Sequence, residues 1–167
     1  MKTLKNSQEI YKNIGDREIY YKEYEEIYDK FAKCITDYNL FELLQSDDAE
    51  SQKFVENMLE GFLMSSVAKF YKCTKDLSNR DEILKQFNFV LDDLEIEILA
   101  LMMVAEWVEP QLNSTSYTLQ FIGGSTQKWY AQANQLDKLM LLEKSSRVKA
   151  RKLIRDYTYK TSMENLG

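Results

Sequence analysis

Residues 92–110 read Asp-Asp-Leu-Glu-Ile-Glu-Ile-Leu-Ala-Leu-Met-Met-Val-Ala-Glu-Trp-Val-Glu-Pro, and this stretch decides the fold class. Asp92 and Asp93 place negative charge where a helix N-terminus favours it. Leu94, Ile98, Leu101, Met102, Ala105, Val108 and Leu112 then recur at three- and four-residue steps, while Ile96, Leu99, Met103, Val104 and Trp107 fill much of the remaining circumference. A helix apolar almost all round belongs in the middle of a bundle. The pattern predicts a central helix over about 93–109 with Leu101, Met103 and Trp107 in the core, ended by Pro110 because the residue before a proline avoids the α region.

The rest of the chain is consistent with that centre. A length of 167 residues is about one domain, and 44% hydrophobic content with 13% aromatic is ample for one core. Five glycines and one proline are too few for the many turns of an all-β sandwich. The expected fold is therefore all-α: a small helical bundle with flexible terminal arms. The longest apolar run, Ile98 to Ala105, is too short to span a bilayer. The N-terminal residues, with Lys2, Lys5, Glu9 and Lys12 spread through them, lack the apolar core of a signal peptide, so a cytoplasmic site of synthesis and no membrane partner are expected. Cys34 and Cys73 form neither a disulfide framework nor a metal cluster, and both are read as reduced core or boundary thiols.

Working outward towards the N-terminus, residues 1–15 are polar and close at Gly15, an expected arm ahead of a single helical domain over 16–157. From Asp16 to about Asp37 a helix is predicted by Ile19, Tyr20, Tyr24, Ile27, Tyr28, Phe31 and Ile35. Ser46, Asp47 and Asp48 offer N-caps for a second helix. Its rows Phe54, Met58, Phe62 and Val55, Leu59, Leu63, Val67, Phe70, Tyr71 predict a mostly buried element. Gly61 within it points to close approach of another helix. Residues 72–92 leave a short helix and an extended connection equally open.

Working outward towards the C-terminus, Gly123 and Gly124 permit a turn, and Ser125 or Thr126 can cap a long helix over about 126–158. Trp129, Ala133, Leu136 and Met140 predict its apolar seat, with Trp129, Leu136 and Met140 as core. Lys144, Arg147, Lys149, Arg151, Lys152 and Arg155 crowd its second half, and Tyr157 and Tyr159 follow. These eight residues are the candidate partner interface, and residues 158–167 are an expected free or partner-bound tail. Residues 1–120 carry 13 basic and 23 acidic side chains (13 − 23 = −10), and residues 121–167 carry 9 and 4 (9 − 4 = +5). Opposite poles on one small domain favour head-to-tail contacts between copies.

Catalytic chemistry finds little here. The chain has no histidine, so Ser-His-Asp and Cys-His arrangements are excluded, and Glu95, Glu97, Glu106 and Glu109 have no Glu-x-x-His partners for a di-metal bundle. Residues 121–126, Phe-Ile-Gly-Gly-Ser-Thr, put glycines before a helix but lack the lysine and the spacing of a phosphate loop. No enzyme activity and no cofactor is expected. The basic run with its tyrosines is compatible with nucleic acid, although a sequence pI near 5.0 demands strong local segregation of charge for that use.

Two segments resemble a known family. Residues 94–111, an acidic-start apolar helix ending Glu106-Trp107-Val108-Glu109-Pro110, and residues 124–136, running through Trp129-Tyr130-Ala131-Gln132-Ala133-Asn134-Gln135-Leu136, with the close Lys152-Leu153-Ile154-Arg155-Asp156-Tyr157, are similar to head-to-tail connector (adaptor, neck) proteins of tailed bacteriophages infecting Firmicutes. Ala131 stands where serine is common in that family, and Gln135 where histidine is common. Residues 38–41 and 61–70 resemble its N-terminal helices more weakly. The resemblance implies a virion structural protein in the neck, assembled in the host cytoplasm. It implies a ring of about a dozen copies under the portal protein, joined to further neck or tail-completion proteins, with DNA passing through the channel without specific binding. A scaffold or chaperone absent from the particle, or a nucleic-acid-binding regulator, are the alternatives.

Overall fold

A computed structural model of the chain describes residues 24–35, 48–121 and 127–164, with the side chains of 118–121, 127–129 and 164 outside that description. The fold is an all-α bundle. In chain order the described elements are α1 (Tyr24–Cys34), α2 (Ala49–Lys69), a two-residue pair β1 (Arg80–Asp81) and β2 (Gln86–Phe87), α3 (Asp93–Phe121) and α4 (Gln127–Glu164). The expected arm 1–15, residues 16–23 of the first predicted helix and the Gly123–Gly124 turn lie outside the described residues, as do the capping candidates Ser125 and Thr126.

The core is built around the first half of α3, as its sequence predicts. Ile98, Leu99, Met103, Val104 and Val108 are fully buried, and Leu101 and Trp107 nearly so. Against this post pack α1 through Phe31, whose ring meets Trp107 edge-on at 6.5 Å, α2 through Val55, Leu59 and Leu63, and α4 through Leu139 and Tyr157. Asp92 and Glu95 start α3 with a reciprocal cap: the Glu95 N–H donates to Asp92 Oδ1 at 2.7 Å and the Asp92 N–H donates to Glu95 Oε2 at 2.7 Å. Asp48 does the same work for α2, accepting from the N–H groups of Glu50 and Ser51.

Several expectations change. Pro110 lies inside α3 and does not end it. The ring removes the bond its N–H would give Glu106, yet the helix continues, and the Gln111 side chain donates to the Trp107 carbonyl at 3.3 Å beside the gap. α2 is less buried than its two apolar rows predict: one row faces the core while Phe54 and Tyr71 are exposed. A Cβ added at Gly61 meets nothing within 4 Å among the described residues, so none of the described helices approaches there. Residues 72–92 form neither a helix nor a plain connection but a small antiparallel hairpin, Arg80 opposite Phe87.

That hairpin has a clear role. Asp81 Oδ1 accepts from the N–H groups of Ile83 and Leu84, each at 2.9 Å, and folds the turn, and Lys85 leaves it at φ 52, in the left-handed region. The Lys85 carbonyl then takes the free N–H of Tyr24 at 2.9 Å, capping α1. Its ammonium pairs with Glu60 on α2 at 2.6 Å. Phe87 is fully buried and packs on the Tyr24 ring at 5.1 Å. The hairpin thus clamps α1 to α2.

α4 also differs from its predicted extent. Residues 158–164, expected as part of a tail, continue the helix. Hydroxyls of Thr158, Thr161 and Ser162 bond back to carbonyls one turn earlier, which satisfies these polar groups within the helix. Met140, predicted as core, is 54% exposed and Leu139 is buried in its place. A helix advances about 100° per residue. Repeated four-residue steps therefore drift off the buried face, and the true row steps by three from Leu136 to Leu139. Leu136 itself is half-buried, and the Trp129 side chain lies outside the described residues.

Candidate functional site: a cationic cleft beside α4

The eight basic and aromatic residues singled out on α4 divide into three sets. Arg147, Arg151, Arg155 and Tyr159 line an open cleft of about 630 Å³ together with residues from α2 and α3. Lys144, Lys149 and Lys152 are exposed on α4 but do not line it. Tyr157 is buried, at 2% exposure.

Helical geometry explains the division. Positions 147, 151, 155 and 159 are four apart, so their side chains form one ridge, with successive residues about 6 Å apart along the axis. Ala150, Ile154, Thr158 and Ser162, also four apart, form the adjacent row and floor the cleft. Tyr157 is two residues from both Arg155 and Tyr159, about 200° round the helix. It must therefore face the opposite way, and contrary to expectation Tyr157 is a core residue and no part of an exposed interface. The opposite wall comes from Lys69 at the end of α2, Tyr71 and Lys72 in the turn that follows it, and Met102, Ala105 and Glu106 of α3. None of these six carried a signal readable without the fold, because they come from other parts of the chain than α4.

Charge in the cleft is partly satisfied. Lys69 pairs with Glu106. Arg147 pairs with Glu143 one turn back and with Glu109 at 3.5 Å, and the Glu143 carboxylate, hydrogen-bonded to the guanidinium, raises its pKa further. Arg155 has only Asp156 at 3.6 Å, with both side chains largely in solvent. Lys72 and Arg151 are exposed and have no ion-pair partner among the described residues. Tyr71 and Tyr159 are 81% and 70% exposed and flank these cations. Arginine and tyrosine are the residue types that most often dominate protein interfaces.

On the far side of α4 lies a second polar cluster, centred on the buried Glu95 and Tyr157 and reaching solvent at Thr74 and Lys75. Glu95 is 1% exposed. Lys75 donates to its Oε2 at 2.5 Å and the Tyr157 hydroxyl to its Oε1 at 3.0 Å. Tyr157 in turn accepts the Thr74 N–H at 3.0 Å and lies 2.6 Å from the Thr74 hydroxyl. Cys73 Sγ sits 3.8 Å from both Glu95 Oε1 and the Tyr157 oxygen. Burial pushes the Tyr157 phenol up to about 12, and burial also raises the Cys73 thiol. Each member is held by its neighbours, so the cluster locks the loop before the hairpin onto α3 and α4. Cys34, expected at the core or its boundary, is exposed.

Among the described residues no group of acidic or cysteine side chains is arranged to hold a metal ion, and no helix is long and apolar enough to cross a membrane. The chain matches no protein-family model, no curated protein and no solved structure.

Proposed function

We propose that this protein is a non-enzymatic assembly subunit, a head-to-tail connector (adaptor) of a tailed bacteriophage that forms a ring under the portal and links the capsid to the neck and tail. The observation that carries the proposal is the open arginine-tyrosine cleft on a chain whose residues 1–120 carry a net charge of −10 (13 − 23). Such a subunit has one face built to receive and another of opposite charge to offer, which is what a closed ring of heterologous contacts requires. The resemblance of residues 94–111, 124–136 and 152–157 to connector proteins supplies the biological setting. An acidic channel wall would let DNA pass without adhering.

Mass spectrometry of purified particles tests the proposal. A connector is retained in a fixed ratio to the portal protein, whereas a scaffold or chaperone is made in infected cells and absent from the particle. Removing residues 158–167 deletes Thr158, Tyr159 and Ser162 from the cleft and leaves Tyr157 in place. The expected result is a folded subunit that no longer joins heads to tails, and unimpaired joining would count against the cleft. A nucleic-acid-binding regulator is the second reading, favoured by the tyrosines beside the arginines. It requires DNA affinity that falls steeply with salt, as several phosphate contacts would impose.

A further inference from the structure

The chemistry of the cleft narrows what it can receive. One end of its floor is apolar and small, Ala150 and Ile154 beside Met102 and Ala105 of the α3 wall, while Thr158 and Ser162 give the other end hydroxyls, so the occupant must bring apolar side chains to cover the first. Among the described residues its least satisfied charges are those of Lys72, Arg151 and Arg155, the last facing only the solvent-exposed Asp156, because Lys69 and Arg147 are already paired with Glu106, Glu143 and Glu109. A polyanion tracking along α4 would meet those three carboxylates at the Arg147 end, and its sugar-phosphate backbone would leave the floor uncovered. Two or three carboxylates on an apolar scaffold satisfy both demands.

The spacing points the same way. Arg151, Arg155 and Tyr159 repeat at four residues on the ridge, and the floor repeats at four residues beside it. An α-helix lying along α4 presents side chains at the same interval of about 6 Å, so carboxylates four apart would meet the ridge while the adjacent apolar row meets the floor. We propose that the cleft is a receptor for an acidic amphipathic helix of a partner protein, with Arg151, Arg155 and Lys72 reading its carboxylates and Tyr71 and Tyr159 closing over its apolar edge. The proposal rests on the reading of this cleft as the partner site, but not on the virion setting.

The test is fluorescence anisotropy of the full chain with labelled helical peptides of about 16 residues, carrying glutamates four apart beside a row of leucine, isoleucine or phenylalanine. The expected result is micromolar binding of at least one of the three, weakened about tenfold or more when glutamines replace the glutamates, and weakened similarly by Arg151→Glu combined with Lys72→Glu. Lys144→Glu, an exposed cation on α4 outside the cleft, should change affinity less than about twofold. Unaltered thermal unfolding of the variants shows that any loss is not one of folding. The inference is overturned if none of the three peptides binds, if Lys144→Glu weakens binding as much as the cleft variants, or if a single-stranded oligonucleotide of similar length binds more tightly than every peptide. Absence of the protein from purified particles would remove the connector reading while leaving these binding results intact.

Discussion

Two clusters of similar composition lie on either side of the last turns of α4, and they differ in what surrounds them. Glu95, Lys75, Thr74 and Tyr157 form a set closed around two buried side chains, the Glu95 carboxylate and the Tyr157 hydroxyl, which Lys75, Thr74 and the Asp92 N–H all meet. Arg151, Arg155, Lys72, Tyr71 and Tyr159 form an open set whose charges are only partly met. A buried charge needs its partner, since removing one leaves the other stranded in a low-dielectric site. An exposed cation is solvated and needs none. The first cluster is therefore a matter of stability, and the second is free to serve recognition.

The largest expected loss lies away from both clusters: Trp107→Ala, which empties the contact with Phe31, should cost about 3–5 kcal/mol in chemical denaturation. Lys75→Met removes the cation beside Glu95 but leaves that carboxylate the Asp92 N–H and the Tyr157 hydroxyl, and because Lys75 is itself 34% exposed the loss should be about 1–3 kcal/mol. Tyr157→Phe keeps the ring and deletes the hydroxyl bonded to Glu95 and Thr74, a loss of about 1–3 kcal/mol.

The closed cluster also predicts a pH dependence. The Tyr157 phenol is raised to about 12 in the folded state from an unfolded value near 10. Its contribution to stability is thus complete below about pH 10 and is lost as pH rises towards 12. Burial raises Tyr24 and Tyr28 as well, so alkaline unfolding should be steep. Tyr157→Phe should make it shallower, as followed by tyrosinate absorbance. The smallest expected change is a gain: Gly61→Ala, in a helix with open space at the Cβ, should stabilise by about 0.5–1 kcal/mol.

The fold was legible where one periodicity persisted, and less so where two signals competed. The apolar circumference of residues 94–108 placed α3 at the centre because no other environment suits it. At Pro110 the local rule predicted a stop, but a single lost hydrogen bond is a modest cost against the burial along α3, and the helix ran on. Residues 72–92 were ambiguous because the hairpin is only two residues wide, and its stability comes from Phe87 packing on Tyr24 and Lys85 reaching Glu60, contacts far apart in sequence. The cleft was half legible. Arg147, Arg151, Arg155 and Tyr159 could be read from one helix, whereas Lys69, Tyr71 and Lys72 belong to the site only because α2 ends beside α4. Tyr157 was misassigned by counting neighbours in sequence, where the helical angle puts it on the other face.

The central claim is that one face of α4 holds the fold together and the other is kept for a partner. Urea unfolding of Tyr157→Phe and Arg151→Glu, measured side by side with the unaltered chain, tests it most directly. The account predicts a loss of about 1–3 kcal/mol for the first and a change within about 0.5 kcal/mol for the second. Equal losses in the two variants would contradict it, because Arg151 would then be part of the structure and not an open contact.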